Sequence, residues 1–279
     1  PSHCDHLYVD DIEMLSSPYS HEHRALRFYA AANGYEPLKA LSDKRHMEKV
    51  IPLTLVEPGK IFTAAEGKYT RMLDSDDIFP LDSTQKMVQL AEELSADMVY
   101  GTFTKTGKEP TELEHEFMND NFTYDFDKDA LRTVLTGRFT RMGQLIRTEV
   151  LQKAGGADER VFIQDESIPL RAALHARGIV KIHDNVVLVP KELGNFSGNK
   201  VQLDNDRFMA YCYMLLDNPQ LPADIRKMLY ARALSAYWKF VKKTLRLPYL
   251  KPVFFKYLIS KVNPRLPDIQ YLKKMQKIF

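Results

Sequence analysis

The chain has 279 residues, enough for one large domain or one domain with an appendage. Hydrophobic residues make up 44% and charged residues 27%, the values of a globular chain. Cys4 and Cys212 lie too far apart for a disulfide framework or a metal knuckle, which points to a reducing compartment. No apolar run reaches the ~18 residues of a spanning helix, and no secretory signal pattern opens the chain. A start at Pro1 rather than Met fits processing or excision from a longer polypeptide. The net charge of +2 is unevenly spread. Residues 224–279 carry fourteen Lys/Arg against Asp224 and Asp268, a net +12, which leaves −10 on the rest.

In chain order, residues 12–17 read as a first strand ending at Pro18-Tyr19. Residues 21–34 read as a helix, with Ala25, Leu26, Phe28, Tyr29 and Ala32 near helical spacing and Gly34 as its stop. Residues 38–41 form a second strand, ending at Ser42-Asp43. Ligands of doubly wound sheets sit beyond the carboxyl ends of strands, so Asp43 is either a nucleobase acceptor or a turn residue. A third strand covers 50–56, interrupted by Pro52, and a short helix covers 61–66.

The stretch Tyr69-Thr70-Arg71-Met72-Leu73-Asp74-Ser75-Asp76-Asp77 runs from strand character into three carboxylates within four residues. Carboxylates crowded at a strand end repel one another unless something positive joins them. Mg²⁺ and Mn²⁺ take such oxygen ligands together with substrate phosphates. The alternative is a solvated turn in which Asp76 or Asp77 caps a helix.

Downstream, 83–94 is a helix with Met87, Leu90, Ala91 and Leu94 inward and Ser83 as a cap. A strand follows at 98–103, then an irregular polar stretch at 105–130 containing a solvated His115. Residues 138–146 read as a strand, 149–154 as a helix closed by Gly155-Gly156, and 168–177 as a helix with Pro169 in its first turn. Asp165 then falls at a loop-to-helix junction, either as a cap or aimed into a cleft, with Glu166 in reserve. The last strand is 180–189, with His183 on its face. Helices follow from about Asp206 and from Leu221-Pro222. The basic C-terminal stretch is interleaved with aromatics and cut by Pro248, Pro252, Pro264 and Pro267. It suits an anionic membrane surface, or packing on the domain or on another subunit, or nucleic acid.

Residues 59–77, with Gly67-Lys68-Tyr69 and Leu73-Asp74-Ser75-Asp76-Asp77, resemble the nucleotide-sugar motif of family 2 glycosyltransferases. A second stretch, Gly155-Gly156-Ala157-Asp158-Glu159 and then Phe162-Ile163-Gln164-Asp165, resembles that family's lead-in to its catalytic base. The resemblance spans roughly 11–200. It implies an α/β, GT-A-like (Rossmann-like) mixed sheet flanked by helices over 1–204, with a helical basic appendage over 205–279. It also implies an inverting transfer from a nucleoside-diphosphate sugar, a UDP-sugar by analogy, to a hydroxyl of a glycan or lipid-linked glycan.

The roles it implies are Asp165 as base, Asp43 toward the nucleobase, and Pro18 and Tyr19 beside the nucleotide. Asp74, Ser75 and Asp76 take the ribose and diphosphate side, with Mn²⁺ or Mg²⁺ on Asp76 beside Asp74. The chain departs from the family in a shortened loop before Tyr69, where Lys60 is the stand-in cation. Gln164 replaces a usual Glu, and a His is missing after the last strand, where Glu192 falls nearest. The implied setting is cytoplasmic, at the inner face of the cell membrane; a homo-oligomer is a candidate state and nucleic acid is not a partner. The alternatives are a sugar-phosphate nucleotidyltransferase, disfavoured by the lack of glycine in 12–24, and a non-catalytic carbohydrate- or membrane-binding module.

Overall fold

The computed structural model describes residues 26–31, 50–52, 65, 67–74, 78–108, 110–113, 115–136, 143–158, 160–161, 164–189 and 200–276. Its centre is a seven-stranded mixed sheet in the order β2-β1-β3-β6-β4-β7-β5. The strands are β1 (Leu26–Ala31), β2 (Val50–Pro52), β3 (Tyr69–Asp74), β4 (Met98–Lys105), β5 (Tyr124–Asp127), β6 (Leu145–Arg147) and β7 (Ile179–Val189). β4 and β7 pair in parallel and every other pair is antiparallel, so β2, β3, β4 and β7 run one way and the others oppose them. The carboxyl ends of β3, β4 and β7 therefore leave by one edge of the sheet.

Alternation along the strands builds two cores. Tyr69, Val99, Leu145 and Val180 face α1 (Ser83–Glu93), whose Met87, Leu90 and Ala91 are buried against them. Met72, Met98, Tyr100, Ile146 and Ile179 face the opposite way and share a core with the remaining helices. Apart from the short α2 (Pro110–Leu113), which contributes to neither core, those are α3 (Ala130–Thr136), α4 (Thr148–Lys153), α5 (Gln164–Ala173), α6 (Lys200–Asp217), α7 (Ala223–Thr244), α8 (Pro252–Val262) and α9 (Ile269–Gln276). The expected mixed α/β sheet flanked by helices, with a basic helical C-terminal region, is the architecture found. The expected boundary at 204/205 falls inside α6, and α6 and α7 bury Phe208, Leu229 and Leu234 in the same core as the sheet.

Several expectations are corrected. The stretch read as a helix at 21–34 contains β1, which pairs with β2 and β3. Leu26, Phe28 and Ala30 also alternate, and a short apolar run satisfies both periods until pairing decides. The irregular 105–130 stretch carries α2 and β5. Of the strand expected over 138–146, residues 138–142 lie outside the described residues, and the described part forms a strand only from Leu145, in β6. α5 begins at Gln164, four residues before its expected start, and Pro169 lies in its interior rather than its first turn.

The amino edge of the strands is locked by ion pairs. Asp97, 2% exposed, accepts from Arg147 Nε at 2.7 Å and from Arg177 Nε and Nη2 at 3.0 and 2.7 Å. Burial pushes its carboxyl up, but the hydrogen bonds from Arg177 and Arg147 outweigh this and hold it below the usual carboxylate range. The carboxyl edge is left to loops.

Candidate active site

β3 carries the acidic stretch to the carboxyl edge. Asp74 is its last residue, in register with Leu26 of β1. The chain returns at Ile78, which bridges Leu188 near the end of β7 through N–O contacts of 2.9 and 2.8 Å. The residues on either side of 75–77 are thus placed at the ends of β3 and β7, while 75–77 lie outside the described residues. The anchor of this edge is a residue that sequence reading passed over. Arg71 is fully buried, although a charged residue in a strand ordinarily signals a wet face. Its Nε donates to Gly143 O at 3.1 Å, its Nη2 to Val186 O at 2.6 Å, and its Nη1 to Ser83 Oγ at 2.8 Å and to Thr84 Oγ1. The guanidinium also stacks on Phe79, 3.4 Å from the ring centre. One side chain therefore ties together β3, β7, the approach to β6 and the start of α1, on both sides of the acidic turn. The signal in the sequence was the hydroxyl pair Ser83-Thr84 and Phe79 just beyond the turn.

Gly143 completes this anchor. Its φ is +63°, and a Cβ there would come within 2.1 Å of Val187 Cγ2. Beside it Gln144 is buried, its main-chain O accepting from Met72 N at 3.1 Å.

The second motif is built by different groups. Gly155 and Gly156 both take positive φ, 70° and 66°, and close α4. Arg171 of α5 donates to Ala154 O at 3.0 and 2.7 Å, clamping that turn onto α5. Asp158 is buried and receives Arg160 Nε and Nη2, each at 2.8 Å. Its acid has a fastening role.

Asp165 is the second residue of α5, within the first turn of the helix rather than before it. Pro169 has no N–H to give the main-chain carbonyl of Asp165 four residues back, so the helix is irregular at that residue. Glu166, the reserve base, is 3% exposed and accepts from Arg207 Nε at 2.6 Å and Tyr211 OH at 3.5 Å. It is a tie between α5 and α6, which corrects its assignment as a spare base. His183 lies on β7 as expected, with Nε2 2.8 Å from Asp125 Oδ2, and His115 is exposed.

Pro18, Tyr19, Asp43, Lys60, Ser75, Asp76 and Glu192 lie outside the described residues. The main chain places Asp74 and Asp165. Among the described residues no group of three His, Cys, Asp or Glu side chains could hold a metal ion. The expected ligands are carboxylates of a short turn, and such hard oxygen donors suit Mg²⁺ or Mn²⁺.

Comparison with known protein families agrees with the motif reading. Residues 60–155 match the family model described as "Glycosyl transferase family 2", about a third of the chain. No curated protein sequence matches. Among solved structures, the chain is similar to S. aureus TarS 1–349 in complex with UDP-GlcNAc, at 13% identity and TM-score 0.49, over 78% of this chain and 70% of that one. It is similar to TarS 1–349 in complex with UDP at 14% identity and TM-score 0.49, over 77% and 65%. Against a longer S. aureus TarS structure the values are 12% and 0.46, and the chain spans 41% of that protein's length. At these scores the likenesses assign no residue here. The family match covers the acidic stretch after β3 and reaches Gly155, and over residues 60–155 the chain carries the signature of the family 2 glycosyltransferases that its sequence resembles.

Proposed function

We propose that the chain transfers a sugar from a nucleoside-diphosphate sugar, with UDP as the carrier, to a hydroxyl of a glycan or lipid-linked glycan, with inversion at the anomeric carbon. The observation that carries this reading is the family match over 60–155. It takes in the acidic stretch that begins with Asp74 at the carboxyl end of β3, the edge at which nucleotides dock on such sheets. Arg71 in β3 and the Ile78–Leu188 bridge support the reading by fixing the chain before and after residues 75–77.

Asp74 and Asp76 would hold a divalent cation, which when bound supplies countercharge for the leaving diphosphate. Asp74 and Ser75 are assigned to the ribose and diphosphate side, Asp43 to the base, and Pro18, Tyr19 and Lys60 to the nucleotide. Asp165 is assigned the acceptor proton. A hydroxyl is a poor nucleophile near neutral pH, and a carboxylate within hydrogen-bond reach takes its proton during attack. A single base with direct attack implies inversion. The Glu166–Arg207 pair draws the first turn of α5, which carries Asp165, onto α6. The proposed setting is the cytoplasm, at the inner face of the cell membrane, with a homo-oligomer as a candidate state.

The test is a screen of UDP-sugars for release of UDP, comparing the parent chain with Asp165→Asn. The expected result is release by the parent with one donor, and in the variant a turnover lower by about 10² to 10⁴ with UDP affinity retained. UDP release undiminished in Asp165→Asn would remove Asp165 from the chemistry.

A further inference from the structure

Thirteen large apolar side chains are exposed among the described residues, and nine of them lie within 245–266. α8 is the centre of this group. Its inner side is well satisfied: Val253 and Ser260 are buried, and Phe254 and Tyr257 lie 4.9 and 6.1 Å from the ring of Trp238 on α7. Its outer side carries Phe255, Leu258, Ile259 and Val262, at the i, i+3, i+4, i+7 spacing of a single helical face, and all four are exposed, Val262 at 89%. A helix on a protein surface ordinarily turns polar residues to that side. Leu247 and Leu250, 66% and 72% exposed, extend the patch ahead of α8. Contiguous apolar surface of this kind marks a contact with a partner or a lipid phase.

The charges indicate which. On a helical projection Lys256 and Lys261 stand on either side of the apolar stripe and Lys251 at its start. Arg246 and Arg265 flank the segment, and no acid occurs between Asp224 and Asp268. Lys256 pairs with Asp268 at 3.1 Å, while Arg246, Lys251, Lys261 and Arg265 have no carboxylate partner among the described residues. A symmetric contact between two copies would bring these cations against each other. An anionic lipid surface would receive both the apolar stripe and the flanking charges. At eleven residues α8 is too short to cross a bilayer, and no described helix is long and apolar enough to do so.

We propose that 245–266 is a monotopic anchor in which α8 lies in the plane of an anionic membrane, with Phe255, Leu258, Ile259 and Val262 entering the lipid and Lys251, Lys256 and Lys261 at the headgroups. This deepens the membrane reading of the basic C-terminal region and is independent of the nucleotide-sugar reading.

The experiment is co-sedimentation of the full chain with vesicles of phosphatidylcholine alone or mixed with phosphatidylglycerol, with light scattering in parallel. The parent is expected to bind the mixed vesicles and not the neutral ones. Leu258→Asp/Val262→Asp should weaken that binding at least about tenfold, and Lys251→Gln/Lys261→Gln should weaken it and reduce its salt dependence. Both pairs are exposed, so far-UV circular dichroism and UDP affinity should stay unchanged. Failure of the parent to bind either vesicle, or binding indifferent to both variants, would overturn the proposal. So would an assembly that falls to monomers in Leu258→Asp/Val262→Asp without vesicle binding by the parent, because the patch would then be covered by a second copy. Vesicle binding without UDP binding would sustain the anchor and remove the transferase.

Discussion

Replacing Arg71 by Met removes the anchor between β3, β7 and α1 while keeping most of the side chain's volume. Four acceptors lose their donor: Gly143 O, Val186 O, Ser83 Oγ and Thr84 Oγ1. The two hydroxyls can turn toward each other and contribute little to the loss. The two main-chain carbonyls face a buried space with the guanidinium gone, and a stranded buried acceptor costs about 1–3 kcal/mol. The stacking on Phe79 adds a fraction of that, and relief from burying a charge returns part of it. The sum is about 3–5 kcal/mol, a large share of a stability of about 5–15 kcal/mol. Urea unfolding followed by far-UV circular dichroism reads this directly. Arg71→Lys keeps the charge but not the planar fork, and should lose about half as much. Arg71→Met within about 1 kcal/mol of the parent would refute the claim that this residue holds β3, β7 and α1 together.

Gly143→Ala should destabilise by about 2–4 kcal/mol, because the added Cβ meets Val187 in a positive-φ conformation; an unchanged urea midpoint would contradict this. The depressed carboxyl of Asp97 contributes stability that is present above the unfolded carboxylate value, near pH 4, and is lost as pH falls through its lower folded value. Stability should therefore drop with acid in that window, and Asp97→Asn should both destabilise the fold by about 3–5 kcal/mol and flatten the drop. Pro169→Ala supplies an N–H for the carbonyl of Asp165 and regularises α5, so its melting temperature should rise or hold; a fall would show that the helix has no defect at Asp165.

What the sequence made legible follows from the range of the forces involved. α1 and β7 were read nearly to the residue, because their apolar periods are long and coincide with the face each one buries, and β3 was located by the acidic motif at its end. β1 was misread because six apolar-rich residues satisfy both a helical and an alternating pattern, and only pairing with β3 decides. α6 was expected from about Asp206 and begins at Lys200, because Lys200, Gln202 and Asp204 are polar and give no apolar period to extend the helix back. In the fold Lys243 Nζ lies 2.5 Å from Asp204 Oδ2 and Gln202 donates to Asp206, so buried acids are carried within a helix. Asp74 and Asp165 could be picked out because motif spacing is local information. Arg71 was passed over: Ser83 and Thr84 lie only 12 and 13 residues on, but the two carbonyls that complete its burial sit 72 and 115 residues away. The role of Glu166 depended likewise on Arg207. A carboxylate beside a candidate base looks the same in one dimension whether it works or fastens.

The central claim is that the turn after β3 holds a nucleoside diphosphate through a divalent cation. Calorimetric titration of UDP into the chain, with and without Mn²⁺, on the parent and on Asp76→Ala, tests it most directly. The account predicts Mn²⁺-dependent binding in the parent that is lost in Asp76→Ala, with Asp165→Asn retaining it. UDP binding that is unaffected by Mn²⁺ or by Asp76→Ala, or no binding by a folded parent under either condition, would contradict it.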